Sequence, residues 1–443
     1  MKNYLFILSV LLLSSCNITN PKVDDEDPAY KKVALTATIT SVQPMTGMVL
    51  WNDMARSKHS THGQCISLEF SYVQPCRLVT GKENGQLVYD WTYLDDKLSA
   101  AASRNHQMVV RFPLCYPSNS DNCEATKGAT YVPDYIKALP DYNETYSANP
   151  GGDGPTYYPD WTNSELQWFV RQFYSDLAAR YNNDPRIAFL EVGFGHWGEY
   201  HIYGTNIKFG VNFPTKEYQK NFFLHLSEVL TMPWLVSVDA GDNAYSPLQG
   251  DAQLAELHFG LFDDSFMHAG HELSQGEGWN ERCWQWSGIN RWQTGVCGGE
   301  ISYYTTKDQR EFLNPEGLYG VTWEEAAAKY HMSFIICNDA TRGKYFTPER
   351  VTEAGLASGY RFAILSCGTN GEDTHVKVVN RGVAPIYRDA YITVDGVRAT
   401  ESLRGLLPGE EHTFTVKAVA TADNVTITSD FILSTQQIGF DAE

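Results

Sequence analysis

Apolar residues fall along this chain in two rhythms. Between residues 47 and 359, short apolar runs alternate with longer segments whose apolar positions recur every three or four residues. The runs are GMVLW (47–51), CISLEFSYV (65–73), QMVVRFPL (107–114), IAFLEVGFG (187–195), WLVSVDA (234–240), DSFMHA (264–269), GVCGGEI (295–301) and MSFIICND (332–339), eight in all. Between them TYLDDKLSAAASRN, SELQWFVRQFYSDLAARYN, TKEYQKNFFLHLSEVL and TWEEAAAKY predict helices, several opening on a Ser, Thr or Asn that can cap the free amides of a first turn. Strand and helix in alternation imply a parallel sheet, and eight repeats predict an α/β chain folded as a (β/α)8 TIM barrel. An open doubly wound sheet is the structural alternative, but the chain has no glycine-rich dinucleotide loop to support it.

From residue 360 the rhythm changes. HVKVVNRG, YRDAYITVDG, HTFTVKAVA and NVTITSDFIL alternate apolar with polar residues between turn formers, and helix signals vanish. This predicts a small C-terminal antiparallel β-sandwich domain over 360–443, after a barrel over 33–359. VNRGVAPIYRDAYITVDG reads as two strands paired around a proline-bearing turn.

The amino terminus has another character. Residues 1–16, MKNYLFILSVLLLSSC, join a lysine to an apolar run too short to span a bilayer, and end on Leu13-Ser14-Ser15-Cys16. That reads as a lipoprotein signal peptide, with Cys16 as the acylated residue and a membrane as the partner of its lipid. Residues 17–32 form an acidic, flexible tether, which resembles the surface-export signal of Bacteroidetes lipoproteins. The expected location is the outer membrane, at the cell surface or facing the periplasm.

A net charge of -19 argues against nucleic acid or anionic lipid headgroups as partners, since both reward basic patches. The 11 Trp, 26 Tyr and 21 Phe suit a large core and also the stacking platforms of sugar sites. Eight cysteines beyond Cys16, in a chain bound for an oxidising compartment, suggest disulfides. Cys115 and Cys123 flank a short polar loop, and Cys283 and Cys297 a tryptophan-rich one, so both are expected local pairs; Cys65 with Cys76 and Cys337 with Cys367 are further candidates. The absence of any CxxC argues against a zinc ribbon or thioredoxin-type centre.

Barrel active sites lie at the carboxyl ends of the strands. The fourth run would bring His196, Trp197, Glu199 and His201 there, the fifth Asp239, the sixth His268 and His271, the seventh Glu300 with Tyr303 and Tyr304, and the eighth Asn338 and Asp339. Two carboxylates facing across a pocket are what glycosidic bond cleavage needs, one to protonate the leaving oxygen and one to attack or to activate water. EGWNERCWQWSGINRW, with Trp284 and Trp286, is the expected lid or substrate wall.

The arrangement resembles the large clan of (β/α)8 glycoside hydrolases. SLEFSYVQPCRL followed by GQLVYDWTYLDDKLSAAASRNHQMVVRFP looks like the corresponding part of β-galactosidase-like barrels, and leader, barrel and terminal sandwich together are similar to uncharacterised Bacteroidetes lipoproteins of this type. The resemblance implies Glu199 as acid/base, Glu300 as nucleophile and a carbohydrate as substrate, with no cofactor and no metal. His196, Trp197, His201, Asp239, His268, Trp284, Trp286, Tyr303 and Asn338 are then the expected substrate contacts.

One departure stands out. The clan carries Asn-Glu at the end of strand four, where this chain has Phe194-Gly195 and its glutamate four residues later. Either the loop folds back to return Glu199 to the mouth, or the acid position is lost; Glu191 could face inward instead, though a mid-strand glutamate more often pairs with an arginine such as Arg111. Two alternatives use the same residues: a metal-dependent hydrolase built on His196, Glu199 and His201 with Asp239 or His268, and a non-catalytic surface glycan-binding protein on a decayed barrel.

Overall fold

The computed structural model describes residues 29–118 and 130–443. Eight parallel strands close into a barrel: β1 (Gly47–Trp51), β2 (Leu68–Tyr72), β3 (Gln107–Arg111), β4 (Ile187–Val192), β5 (Trp234–Ser237), β6 (Gly260–Phe266), β7 (Cys297–Ile301) and β8 (Phe334–Ile336). Pairing of Phe334 with Gly47 closes the ring. The (β/α)8 barrel expected from the sequence is therefore the fold, with a correction at the sixth strand. That strand begins at Gly260 and takes in both Asp263 and Asp264. It thus starts four residues before the expected run at 264–269, and Asp263 lies within it, its carboxylate turned outward to accept hydrogen bonds from Asn280 (2.8 Å) and Trp284 (3.1 Å), with His271 Nε2 at 2.9 Å.

The helices start where their caps place them. Asn163 accepts from the Leu166 amide ahead of helix Ser164–Tyr181, Thr215 from the Tyr218 amide ahead of Lys216–Val229, and Thr322 forms a capping box with Glu325 ahead of Trp323–Tyr330. Strand residues facing the helices, among them Leu50, Val110, Leu190, Val236 and Ile335, build the outer core. Val49, Leu68, Phe70, Val109, Phe189, Leu235, Phe262 and Phe334 fill the lower lumen and continue into the core of the C-terminal domain.

That domain holds β9 (Phe362–Thr369), β10 (Thr374–Asn380), β11 (Tyr391–Val394), β12 (Val397–Arg398), β13 (Glu411–Val416), β14 (Val425–Thr428) and β15 (Phe440–Ala442). One sheet orders Lys31–Lys32, β9, β10 and β13, with β15 against β9; the other orders β12, β11 and β14. Two corrections follow. The two strands expected to pair around Pro385 are β10 and β11, which lie in different sheets, so that turn crosses the sandwich. Lys31–Lys32, placed by the sequence in a flexible tether, adds an edge to the larger sheet.

The sandwich closes the amino-terminal end of the barrel. Gln107 donates to Phe431 O (2.8 Å), Tyr387 to Trp292 O (2.6 Å) and Arg388 to Asn182 O (3.1 Å), joining it to segments that lead into or begin barrel strands. The opposite, carboxyl end stays free for chemistry.

Cys115, Cys283 and Cys297 are free and buried, as are Cys65, Cys337 and Cys367, so the expected Cys115–Cys123 and Cys283–Cys297 disulfides are corrected. Cys283 sits on helix Trp279–Gly288, packed against the turn after β5, whereas Cys297 opens β7. The Cys115 thiol donates to Tyr157 O instead. Cys76 is disulfide-bonded; Cys123, like the leader with Cys16, lies outside the described residues. Among the described residues no helix is long and apolar enough to cross a membrane.

Candidate active site

Side chains alternate across a strand, so residues two apart face the same way. Val49, Phe70, Val109, Phe189, Leu235, Phe262 and Ile336 face the lumen, and Gly298 lies against the Phe334 ring there. Two residues further along, the same faces carry Trp51, Tyr72, Arg111, Glu191, Ser237, Asp264, Glu300 and Asn338. The lumen thus changes from apolar to polar within one step of every strand.

The loop after β4 folds back onto the strand end. Gly195 N donates to Glu199 O (2.7 Å) and His196 N to His201 O (2.9 Å), with Trp197 and Gly198 turning through positive φ at 53° and 77°. The approach leaves no room for side chains on the backbone beneath. A Cβ at Gly193 would lie 2.2 Å from Gly198 O and 2.4 Å from Glu199 O, and one at Gly195 would lie 2.0 Å from His201 O. Of the two fates open to Glu199, the fold takes the first. Its carboxyl is buried and shares the mouth with Glu300, Asp264 and Asp239, all close enough to act on its charge.

At the centre lies Arg111, 1% exposed. Its Nε and Nη2 donate to Glu191 Oε2 at 2.9 and 2.6 Å, and Nη1 reaches Asp264 Oδ2 at 2.7 Å and Trp197 O at 3.3 Å. The guanidinium rests on the Phe262 ring, 4.3 Å from its centre. Glu191 therefore faces inward but is committed to an ion pair, and burial still pushes its carboxyl up to about 7 against the pull of Arg111.

Glu199 and Glu300 differ in what touches them. Burial, then Asp264, raises the Glu300 carboxyl well above its ordinary value, while Arg111, the Trp51 indole N–H (3.3 Å) and the Tyr303 hydroxyl favour its ionised form. Glu199 is raised by burial and then by Asp264, Asp239 and Glu300, with Arg111 alone among the principal charges opposing. Burial thus raises both carboxyls, neighbouring carboxylates add to the rise at each, and hydrogen bonds from Trp51 and Tyr303 oppose it at Glu300. Burial raises Asp239 too, but His201 and Ser237 outweigh it and leave that carboxyl below its ordinary value.

His201 Nδ1 lies 3.7 Å from Glu199 Oε2 and 3.4 Å from Asp239 Oδ2, and its ring stacks on Tyr203 at 4.8 Å. Glu199, His201 and Asp239 each offer one ligand atom within 4.8 Å of the others, so they are the residues that could hold a divalent cation. His196 is turned away, its Nε2 2.9 Å from the Tyr158 hydroxyl, and burial pushes it down to about 3, so it stays neutral.

Other expected contacts are scattered. Tyr303 reaches Glu300, and Asn338 Oδ1 accepts from the Trp51 amide at 3.3 Å. His268 turns back to Ser265 O and meets the exposed Tyr304 at 5.3 Å. Trp284 is buried outside the barrel, donating to Asp263, and Trp286 packs edge-on against Trp279 at 5.8 Å. The tryptophan-rich segment expected as a lid is instead a helix against the outer wall, driven there by its buried face of Asn280, Cys283, Trp284 and Ser287. Sequence reasoning missed Trp51, Tyr72 and Asp264, although counting two residues beyond the last inward apolar position finds all three.

A (β/α)8 barrel with a carboxylate-lined mouth is what fold and site define. No family model matches the chain, and no curated protein does. Solved structures that it resembles include glycoside hydrolases and cyclomaltodextrin glucanotransferases. They include endo-glycoceramidase II from Rhodococcus sp. (11% identity, TM-score 0.42, covering 88% of this chain and 98% of that one). A monomeric β-xylosidase from Caulobacter crescentus (9%, 0.39, 90% and 97%) and xylanase 10B from Thermotoga maritima (11%, 0.34, 68% and 83%) are others. Likenesses this distant assign neither activity nor substrate.

Proposed function

We propose that the protein is a glycoside hydrolase acting on a polysaccharide or glycan, with Glu199 as the general acid and Glu300 as the second carboxyl of the pair. The observation that carries this is the return of Glu199, four residues beyond Gly195, into one mouth with Glu300. Glu199 would protonate the leaving oxygen. Glu300, oriented by Trp51 and Tyr303, would attack the anomeric carbon or activate water. The lipoprotein-like leader supports a place for this activity at the outer membrane, facing the cell surface or periplasm, with Cys16 as anchor.

The test is turnover of activated aryl glycosides by the wild type, Glu199→Gln and Glu300→Gln. Loss of hydrolysis by about 1000-fold or more in Glu300→Gln, with binding kept, is expected. Proton NMR of the first-formed anomer then separates attack by Glu300 from attack by water. Full activity in both variants would remove the pair from the mechanism.

The cluster of Glu199, His201 and Asp239 favours a second reading, a metal-dependent hydrolase, because both His201 ring nitrogens are buried without a hydrogen-bond partner. Activity abolished by EDTA and restored by zinc or manganese would select it; activity indifferent to EDTA selects the two-carboxylate mechanism.

A further inference from the structure

The mouth gathers more carboxyl groups than the two-carboxylate mechanism requires. Asp264, Asp239 and Glu300 act on Glu199, Asp264 acts on Glu300 and Asp239 on Asp264, and Arg111 is the one cation among the principal charges on Glu199, Glu300 and Asp264. Arg111 is not available to a ligand. Four hydrogen-bonding or ionic contacts, two to Glu191, one to Asp264 and one to Trp197 O, occupy a guanidinium that is 1% exposed.

Asp264 is the asymmetric member of this set. Its side chain is 8% exposed, Oδ2 is held by Arg111 at 2.7 Å, and Oδ1 is buried without a hydrogen-bond partner. A carboxylate oxygen so fixed and so unmatched is an acceptor waiting for a donor. An anion brought to the same place would crowd these carboxyls, with the Arg111 guanidinium already spent on Glu191 and Asp264.

Resting on the hydrolase reading above, we propose that the sugar recognised at this mouth carries no anionic group, and that Asp264 reads it by accepting a hydrogen bond at Oδ1 from a hydroxyl or ammonium. The substrate class is then neutral or amino-bearing glycans, with uronides and sulfated or sialylated sugars excluded. Sugar orientation follows from the same contact: Arg111 fixes Asp264, and Asp264 fixes the ring relative to Glu199 and Glu300.

The experiment uses matched pairs of 4-nitrophenyl glycosides, glucoside with glucuronide and galactoside with galacturonide, in both anomeric forms. Wild type and Asp264→Asn are compared, with saturation-transfer NMR of the same compounds alongside. The expected result is a hexoside cleaved about 100-fold or more faster than its uronide, with the ratio falling towards unity in Asp264→Asn. A uronide cleaved as fast as its hexoside overturns the inference and leaves the hydrolase reading standing. An unchanged ratio in a folded Asp264→Asn overturns the role of Asp264. Where compounds bind without turnover, preferential binding of the hexoside supports the inference and preferential binding of the uronide overturns it. If the wild type neither cleaves nor binds any member, the hydrolase reading fails and the inference with it.

Discussion

Replacing Arg111 by Met is the sharpest test of how the mouth is held together. Met keeps an apolar stem against Phe262, 4.3 Å from the guanidinium, but removes the charge that Glu191 and Asp264 share. Both carboxylates are then stranded, Glu191 fully buried and the Asp264 side chain 8% exposed. Breaking a buried pair in this way costs about 3–5 kcal/mol. The loss carries a pH signature. Burial already pushes Glu191 up to about 7 with Arg111 beside it, and without Arg111 it rises further. A carboxyl whose folded pKa exceeds its unfolded value of about 4.3 takes up protons on folding. Stability relative to wild type is therefore highest at low pH and is lost as pH rises through the folded pKa. Urea unfolding followed by tryptophan fluorescence should show a deficit that grows between about pH 5 and pH 8. A deficit below about 1 kcal/mol, or one that is flat across that range, would refute the reasoning. The triple variant with Glu191→Gln and Asp264→Asn, which has no stranded charge, should recover much of the loss.

Three further outcomes are expected. Gly193→Ala places a methyl 2.2 Å from Gly198 O, so the loop must lift and carry Glu199 away; activity should fall about 100-fold, and unaltered kinetics would mean the fold-back is not required. Asp263→Ala leaves the Asn280 and Trp284 donors and the His271 ring without their partner outside the barrel, which should cost about 2–3 kcal/mol in unfolding experiments, and a neutral effect would show that the shell repacks. Because Asp264 is the foremost neighbouring charge raising Glu199, Asp264→Asn should move the alkaline limb of kcat/KM to lower pH. A limb that stays in place would assign it to another group.

Much of this was legible because periodicity is a local property. The eight runs, the capping residues Asn163, Thr215 and Thr322, and the change of rhythm at residue 360 are all set by neighbours in sequence. The sixth strand was misplaced for a reason that is not local. The sixth run reads as starting at Asp264, yet the strand begins at Gly260 and carries both aspartates inside it, one satisfied by the outer shell and the other by Arg111 across the lumen. Trp284 misled in the opposite direction, since tryptophans near a barrel mouth suit sugar stacking until an outward carboxylate claims the indole N–H. Cysteine spacing likewise suggested staples, and the helix formed by the segment between Cys283 and Cys297 sets the two thiols on different elements.

The sequence alone determined the class of fold and the inventory of the mouth, because side-chain direction on a strand alternates and residues at strand ends must emerge there. Tertiary structure alone decided which carboxylates are free to react. That Glu191 is spent on Arg111, that Arg111 also holds the Trp197 carbonyl of the loop returning Glu199, and that Trp51 reaches Glu300 all turn on contacts between residues 80 to 249 apart in sequence. Charge and hydrogen-bond interactions act through space, falling with distance between atoms and indifferent to distance along the chain.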